Sequence, residues 1–134
     1  MAPLSNHSWT EILAFNKAAV LTPVGPLTRV NAEAVLERLN LNLGSGLLFM
    51  QTILSTFTDM PCSKTLVNLS SGAAMRGLAD WSLCCANKVG LDGAVHALAV
   101  EQEALPHPFR LLNRPRFTRH FEALSWQPSG GVYE

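Results

Sequence analysis

Residues 65–88 read TLVNLSSGAAMRGLADWSLCCANK, and this stretch decides the fold that the sequence predicts. Its first part, Thr65 to Leu69, is a short apolar run followed by a Ser-Ser-Gly turn, which is typical of a strand buried on both faces. A helix opens near Ser82 and carries Cys84 and Lys88. A hydroxyl at the carboxyl end of a strand, facing a lysine in the next helix, is how open α/β sheets build sites.

Strand and helix patterns alternate on both sides of this stretch. An apolar run, ILAF, lies at residues 12–15, and another, FRLLN, lies at residues 109–113. A run of four residues does not by itself distinguish strand from helix. Apolar residues recur at three- and four-residue steps from residue 32 to about 57, and a second helical pattern runs from residue 82 to about 104. The order strand, helix, strand, helix, strand predicts an α/β fold, part of a three-layer Rossmann-like parallel sheet.

The first long helix has a clear start and a weak middle. Asn31 is placed to cap its amino end, and Glu33 lies in its first turn. Glycine costs about 1 kcal/mol relative to alanine inside a helix, so a weak middle needs a reason. We expect that reason to be close packing or function. The weak helix formers are Asn40, Asn42, Gly44, Ser45 and Gly46.

The composition indicates a folded domain without an obvious polyanionic partner. Of 134 residues, 48% are hydrophobic and 15% are charged, and ten acidic residues balance ten basic ones. This balance gives no general attraction to nucleic acid or to an anionic membrane, so neither partner is expected. The apolar runs are shorter than the roughly 20 residues of a membrane span, and MAPLSNHSW does not have the pattern of a signal peptide.

The three cysteines predict a reducing compartment. Cys62, Cys84 and Cys85 cannot make a disulfide framework, and no Cys-x-x-Cys or His/Cys spacing suggests zinc. The four histidines have no spacing typical of a metal site either. We therefore predict a cytoplasmic protein without a metal site.

Several motifs, in this order and at these separations, resemble the short-chain dehydrogenase/reductase family. They are VNLSSGAA at residues 67–74, followed by Ala-Asn-Lys at residues 86–88. Three further segments are most similar to the sepiapterin reductase and benzil reductase branch. They are GPL before the first long helix, LNLNLGS within it, and ADWSLCCANKVGLDGAVHALAVEQ after the central strand. The resemblance extends over residues 12–113.

The resemblance implies an NAD(P)H-dependent carbonyl oxidoreductase with a four-residue catalytic set. Asn42 matches the family's asparagine at the kink of the long helix. Ser71 matches its substrate-orienting serine, and Lys88 matches its catalytic lysine. The family's tyrosine should lie four residues before the lysine and thirteen after the serine, and both counts lead to Cys84.

The resemblance also implies NADP or NAD as cofactor. Asn16-Lys17-Ala18-Ala19 stands where the family has Asn-Asn-Ala-Gly after a strand. By this match, the cofactor-binding residues would be Asn16, Ala18, Ala19 and Lys88.

Departures from the family pattern predict weak or absent activity. In the family, the tyrosine hydroxyl exchanges a proton with the substrate oxygen, and the lysine lowers its pKa from about 10. A thiol at Cys84 can also ionise, but it ends well short of a phenol oxygen, and a displacement of about 1 Å can lower a rate about 100-fold.

Both ends of the sequence depart from the family as well. The glycine-rich phosphate turn expected before residue 12 is missing from this sequence. Asn-Arg-Pro-Arg at residues 113–116 stands where the family has Asn-x-x-Pro-Gly. We therefore expect an N-terminally truncated product, with a partial short-chain dehydrogenase/reductase domain at 1–113 and a divergent, poorly ordered tail at 114–134.

Two functional hypotheses follow. The first is a carbonyl oxidoreductase by ancestry, acting on a small carbonyl substrate and impaired at Cys84. The alternative is a non-catalytic interaction protein, a truncated homologue. The family's helical dimer contact implies pairing through the two long helices, with a second copy or with a full-length relative.

Plainer interpretations of the same residues also stand. Ser71 and Lys88 are then a turn serine and a solvated helix lysine, Cys84 and Cys85 are small packed side chains, and Asn42 is an incidental polar residue.

Overall fold

The computed structural model describes residues 8–115, which form a three-stranded parallel sheet with helices packed on one face. Two short 3-10 turns occupy Leu27–Arg29 and Gly72–Ala74. In chain order, the main elements are β1 (Glu11–Asn16), α1 (Ala32–Leu39), a π-helical segment (Asn40–Gly44), α2 (Ser45–Thr56), β2 (Ser63–Ser70), α3 (Ser82–Gln102) and β3 (Arg110–Pro115).

The sheet order is β1-β2-β3, and both strand pairs are parallel. The register aligns three asparagines across the sheet, since Asn16 pairs with Asn68 and Asn68 pairs with Asn113. The predicted partial Rossmann-like α/β fold is confirmed. β3 runs two residues past the predicted strand end, to Pro115. The predicted tail lies almost wholly outside the described residues, and the division into domain and tail stays a prediction.

The core lies between one face of the sheet and the two long helices. Alternate residues of β1 point into it, whereas Leu13 and Phe15 point to the opposite face and are 54% and 57% exposed. Within the described residues, helices cover only the core-facing side of the sheet. The buried cluster contains Ile12, Ala14, Met50, Leu54, Phe57, Leu66, Leu91, Val95 and Phe109.

The first long helix is interrupted where the sequence predicted a weak middle. Asn31 caps α1 as expected, accepting a 2.8 Å hydrogen bond from the Ala34 N–H. The backbone then widens into the π-helical segment before α2 begins. Such a bulge inserts an extra residue into the turn and re-aims the side chains that follow, which often occurs at functional sites.

The glycines of the two long helices permit close approach at two points. A Cβ built on Gly46 would lie 2.8 Å from Leu91 Cδ2 and 3.1 Å from Asn16 Nδ2. A Cβ on Gly90 would lie 3.1 Å from Leu43 Cδ1, whereas one on Gly93 would meet nothing within 4 Å. Close packing therefore explains Gly46 and Gly90.

A buried lysine closes the carboxyl end of α2, which the sequence patterns did not indicate. Lys64 Nζ donates to the carbonyl oxygens of Phe57 at 2.8 Å and Thr58 at 2.9 Å, and lies 5.0 Å from the centre of the Phe109 ring. Burial lowers the pKa of Lys64, against the opposing effects of Cys62 and Asp59. A cation at this helix end satisfies carbonyls that the helix leaves without partners.

Candidate active site

A narrow cleft lies between α3, the π-helical segment and the loop that follows β1. Three of the four residues predicted to be catalytic line it together: Asn42, Cys84 and Lys88. Parallel strands end at the same edge of a sheet, and clefts of α/β proteins form there. The complete lining consists of Ala19, Val20, Leu21, Asn42, Cys84, Asn87, Lys88 and Leu91.

Asn42 connects the helical layer to the loop after β1. Its Oδ1 accepts from the Val20 N–H at 2.8 Å, and its Nδ2 donates to the Val20 carbonyl at 2.7 Å. The side chain is buried, and the π-helical segment turns it toward the loop. This pair of hydrogen bonds fixes the position of the loop after β1, which forms one wall of the cleft.

Lys88 connects α3 to the end of the central strand. Its Nζ donates a 2.7 Å hydrogen bond to the carbonyl of Leu69. Cys84 lies one turn earlier on the same side of α3, as the four-residue spacing requires. The lysine and the thiol therefore face one cleft.

The Cys84 thiol is partly buried, and burial raises its pKa above 9.0. The neighbouring Cys85 raises the pKa further, while the positive charge of Lys88 lowers it. Because burial is the largest of these effects, the thiol stays protonated at neutral pH. Cys62, Cys84 and Cys85 are all free thiols.

Ser71 lies at the same edge of the sheet but is not part of the cleft lining. It follows β2 in an extended conformation with φ −152°, and its Oγ accepts a 3.2 Å hydrogen bond from the Ala73 N–H. The serine thus caps the 3-10 turn at Gly72–Ala74. Its distance in sequence from Cys84 fits the family pattern, but its hydroxyl helps to hold the turn.

A buried polar network runs along the carboxyl ends of the three strands. Asn16 Nδ2 donates to Asn68 Oδ1 at 3.0 Å, and Asn68 Nδ2 donates to Asn113 Oδ1 at 3.0 Å and to Asp92 Oδ1 at 3.1 Å. Ser70 Oγ donates to the second carboxylate oxygen of Asp92. Asn16, predicted to bind cofactor, is therefore buried and hydrogen-bonded to its neighbour strand.

Sequence reasoning missed most of this network. Asp92 lies one turn after Lys88 on α3, and this spacing was the available signal. Burial raises the pKa of Asp92, although hydrogen bonds from Ser70 and Asn68 and the positive charges of His96 and Lys88 oppose that effect. Ala18 and Ala19, the other predicted cofactor residues, are exposed in the loop after β1, and Ala19 reaches the cleft.

Asn87 is a second residue that sequence reasoning missed. It lies on the cleft side of α3, three residues after Cys84, and is 1% exposed. Within residues 8–115, neither Oδ1 nor Nδ2 of Asn87 has a hydrogen-bond partner. Buried side-chain amides usually have at least one partner, so this residue needs an explanation.

Comparison with known proteins found reductases. The chain is 26% identical over 113 residues to benzil reductase ((S)-benzoin forming) of Bacillus subtilis (strain 168), a match covering 84% of this chain and 46% of that protein. It is 36% identical over 97 residues to sepiapterin reductase of Mus musculus, covering 70% of this chain and 37% of that protein. The chain thus spans about half or less of the length of these curated relatives. No family model matches.

Solved structures with the same fold include short-chain dehydrogenases/reductases. The enzyme from Burkholderia vietnamiensis superposes with a TM-score of 0.68 at 28% identity, over 80% of this chain and 48% of that one. An NADP complex from Shigella flexneri 2a str. 301 superposes with a TM-score of 0.65 at 22% identity, over 82% and 45%. An NAD⁺-bound xylitol dehydrogenase superposes with a TM-score of 0.69 at 15% identity, over 76% and 38%.

Proposed function

Because this chain is a homologue of benzil and sepiapterin reductases and has part of the short-chain dehydrogenase/reductase fold, we propose that it forms the substrate-side part of an NAD(P)H-dependent carbonyl oxidoreductase. One observation carries the proposal: Asn42, Cys84 and Lys88 line a single cleft at the carboxyl ends of the strands. The substrate would be a small carbonyl compound.

The residues around the cleft fit the nicotinamide end of a dinucleotide. Ala18 and Ala19 are exposed and carry only a methyl group, so a flat ring can approach the backbone there, beside Lys88. When bound, NAD(P)H supplies the hydride of a carbonyl reduction. Asn16 would act indirectly, by holding the end of β1 through its bond to Asn68.

The remaining chemistry is delivery of a proton to the carbonyl oxygen. Cys84 occupies the position where the family has a tyrosine, and its protonated thiol is the candidate donor. The thiol is shorter than a tyrosine side chain, and general acids contribute only when they reach the oxygen. Lys88, four residues later on the same helix face, supplies positive charge. We therefore propose that reduction by this chain is slow.

Ser71 would orient the substrate carbonyl from the end of β2. Its oxygen accepts from the Ala73 N–H, and a hydroxyl can donate while it accepts. Asn42 would contribute by fixing the loop at Val20.

The test compares benzil reduction by the purified chain, Cys84→Tyr and Cys84→Phe, with NADPH oxidation as the readout and NADPH binding measured separately. We expect Cys84→Tyr to turn over at least about 100-fold faster than the wild type. Cys84→Phe, which restores the ring but not the hydroxyl, should not. Equal rates for the wild type and Cys84→Tyr would contradict an impaired proton donor at this position.

A second candidate function is a non-catalytic interaction protein that pairs through its long helices. An open groove lies between α2 and α3, lined in part by Leu47, Ala94 and Leu98, and Leu48 and Val100 are each 66% exposed. Small and apolar residues on adjacent helices suit a four-helix contact with a second copy or with a full-length relative.

Light scattering after gel filtration tests this second function. A dimer that Leu48→Glu dissociates, together with no NADPH binding by either the wild type or Cys84→Tyr, would favour it. A monomer that binds NADPH would exclude it.

A further inference from the structure

Among residues 8–115, two side chains have buried polar atoms without hydrogen-bond partners. They are Arg38 on α1, at Nε and Nη1, and Asn87 on α3, at both amide atoms. Asn87 is neutral and lines the cleft, whose volume of about 20 Å³ is enough for one water molecule. Water both donates and accepts, so solvent can satisfy this amide. Arg38 carries a charge, which a water molecule does not neutralise.

The position of Arg38 on α1 explains why no neighbour on this helix pairs with it. The residue is 7% exposed, whereas both glutamates of α1, Glu33 and Glu37, are exposed to solvent. A long helical side chain leans over the residues three and four positions earlier. For Arg38 these are Val35 and Ala34, which are half-buried and have no polar side-chain atoms. The helix therefore encloses the arginine without an acidic partner.

The two lysines that the fold partly or fully encloses are treated differently. Lys64 is 3% exposed and donates to two carbonyl oxygens, and Lys88 donates to the carbonyl of Leu69. No atom of residues 8–115 accepts from Nε or Nη1 of Arg38. A guanidinium does not lose its proton in proteins, and a buried charge without a partner is strongly destabilising. The acceptor for Arg38 must therefore come from outside this part of the chain.

The chemistry of the guanidinium selects the kind of acceptor. Its N–H groups lie along the edges of a flat fork, and each edge matches two oxygens of a carboxylate or a phosphate. An oxyanion supplies both the acceptors and the negative charge that Arg38 lacks, whereas a neutral carbonyl supplies only an acceptor. We propose that Arg38 binds an oxyanion, the phosphate or carboxylate group of a small molecule. This site is separate from the carbonyl chemistry proposed at Cys84.

NMR titration of the whole chain tests this assignment, with inorganic phosphate, acetate and chloride as probes at one pH and one ionic strength. The Nε–H group of each arginine gives its own signal. We expect phosphate or acetate to shift the Arg38 signal and to half-saturate it at a concentration at least about tenfold lower than chloride. The signal of Arg29, which is exposed, is the internal control and should not saturate. The tighter of the two oxyanions identifies the ligand group as a phosphate or a carboxylate.

Urea denaturation in phosphate and in chloride supplies a second measurement, with Arg38→Met and Arg29→Met as matched variants. Phosphate stabilises folded proteins in general, so the comparison is made between variants. The shift of the urea midpoint from chloride to phosphate should be equal in the wild type and Arg29→Met and smaller in Arg38→Met. In chloride, Arg38→Met should unfold at a urea concentration equal to or higher than the wild type, because it removes an unpaired buried charge.

Three results would overturn the assignment. An Arg38 signal that responds equally to all three anions would exclude an oxyanion site. A signal that changes with protein concentration instead of phosphate would assign the acceptor to a second copy of the chain. A clear loss of stability of Arg38→Met in chloride would show that the guanidinium is bonded within the fold. The wild-type titration needs no variant, so the test survives if Arg38→Met does not fold. No nucleotide or carbonyl compound is present, so failure here is distinguishable from failure of the Cys84→Tyr experiment.

Discussion

Lys88 Nζ donates a 2.7 Å hydrogen bond to the main-chain carbonyl of Leu69, and this bond ties α3 to the end of the central strand. Lys88→Met keeps most of the apolar side chain and removes the charged donor. A hydrogen bond from a charged group contributes about 1.5–3 kcal/mol, so we expect the free energy of unfolding in urea to fall by roughly 1–2 kcal/mol. Lys17→Met, at an exposed position, is the control. An equal effect of the two substitutions would mean that the hydrogen bond from Lys88 to Leu69 does not stabilise the fold.

Asn42 should control the mobility of the loop after β1. Asn42→Ala removes both hydrogen bonds to Val20, one to its N–H and one to its carbonyl. Val20 is exposed, so water can replace these partners and the loss of global stability should be modest, about 1 kcal/mol. The larger effect is local: hydrogen exchange of the Val20 amide should become about tenfold faster. Unchanged exchange at Val20 would show that the loop is held by other contacts.

The glycines of α2 and α3 provide a matched pair. Gly46→Ala would place a Cβ 2.8 Å from Leu91 Cδ2, inside the buried core, and overpacking of this kind costs about 1–3 kcal/mol. Gly93→Ala would meet nothing within 4 Å, and it should stabilise the helix by up to about 1 kcal/mol. Urea denaturation of both variants measures the contrast. A stabilising Gly46→Ala would mean that Leu91 can move away without cost.

The sequence predicted the order of elements because the patterns that carry it are local. The cap at Asn31 and the break before Gly46 depend on residues within a turn of each other, and both are present. The aligned asparagines Asn16, Asn68 and Asn113 could not be predicted, because strand register depends on pairing between distant segments. Lys64 was missed for a related reason: its partners at the end of α2 become neighbours only after β2 docks.

In the candidate site, too, local spacing predicts some features, and others depend on how distant segments pack. Cys84 and Lys88 lie one helical turn apart on one face, so spacing alone placed them together. The position of Ser71 outside the cleft lining depends on the 3-10 turn that its own hydroxyl caps. Asn87 and Val20 line the same cleft, and no local pattern encodes where the loop at Val20 comes to lie.

Asp92 should make the stability of the protein depend on pH in an unusual direction. Its carboxylate accepts hydrogen bonds from Asn68 and Ser70 on β2 and faces the positive charges of Lys88 and His96 on its own helix. The Asn113 side chain on β3 donates instead to the main-chain carbonyl of Asp92, at 3.2 Å. Burial nevertheless raises its pKa above the ordinary 3.8. Between the unfolded and folded pKa values the native state therefore holds more protons than the unfolded state, and its stability falls as pH rises.

Asp92→Asn removes this titration while keeping the size of the side chain. The free energy of unfolding of the wild type, minus that of Asp92→Asn, should be greatest below pH 3.8 and should decrease as pH rises through the raised pKa of Asp92. Urea denaturation at a series of pH values measures this difference. Glu37→Gln, at an exposed position, controls for the general effect of removing one negative charge. A difference that grows with pH would mean that the hydrogen bonds from Ser70 and Asn68, together with the nearby cations, outweigh the cost of burying the carboxylate.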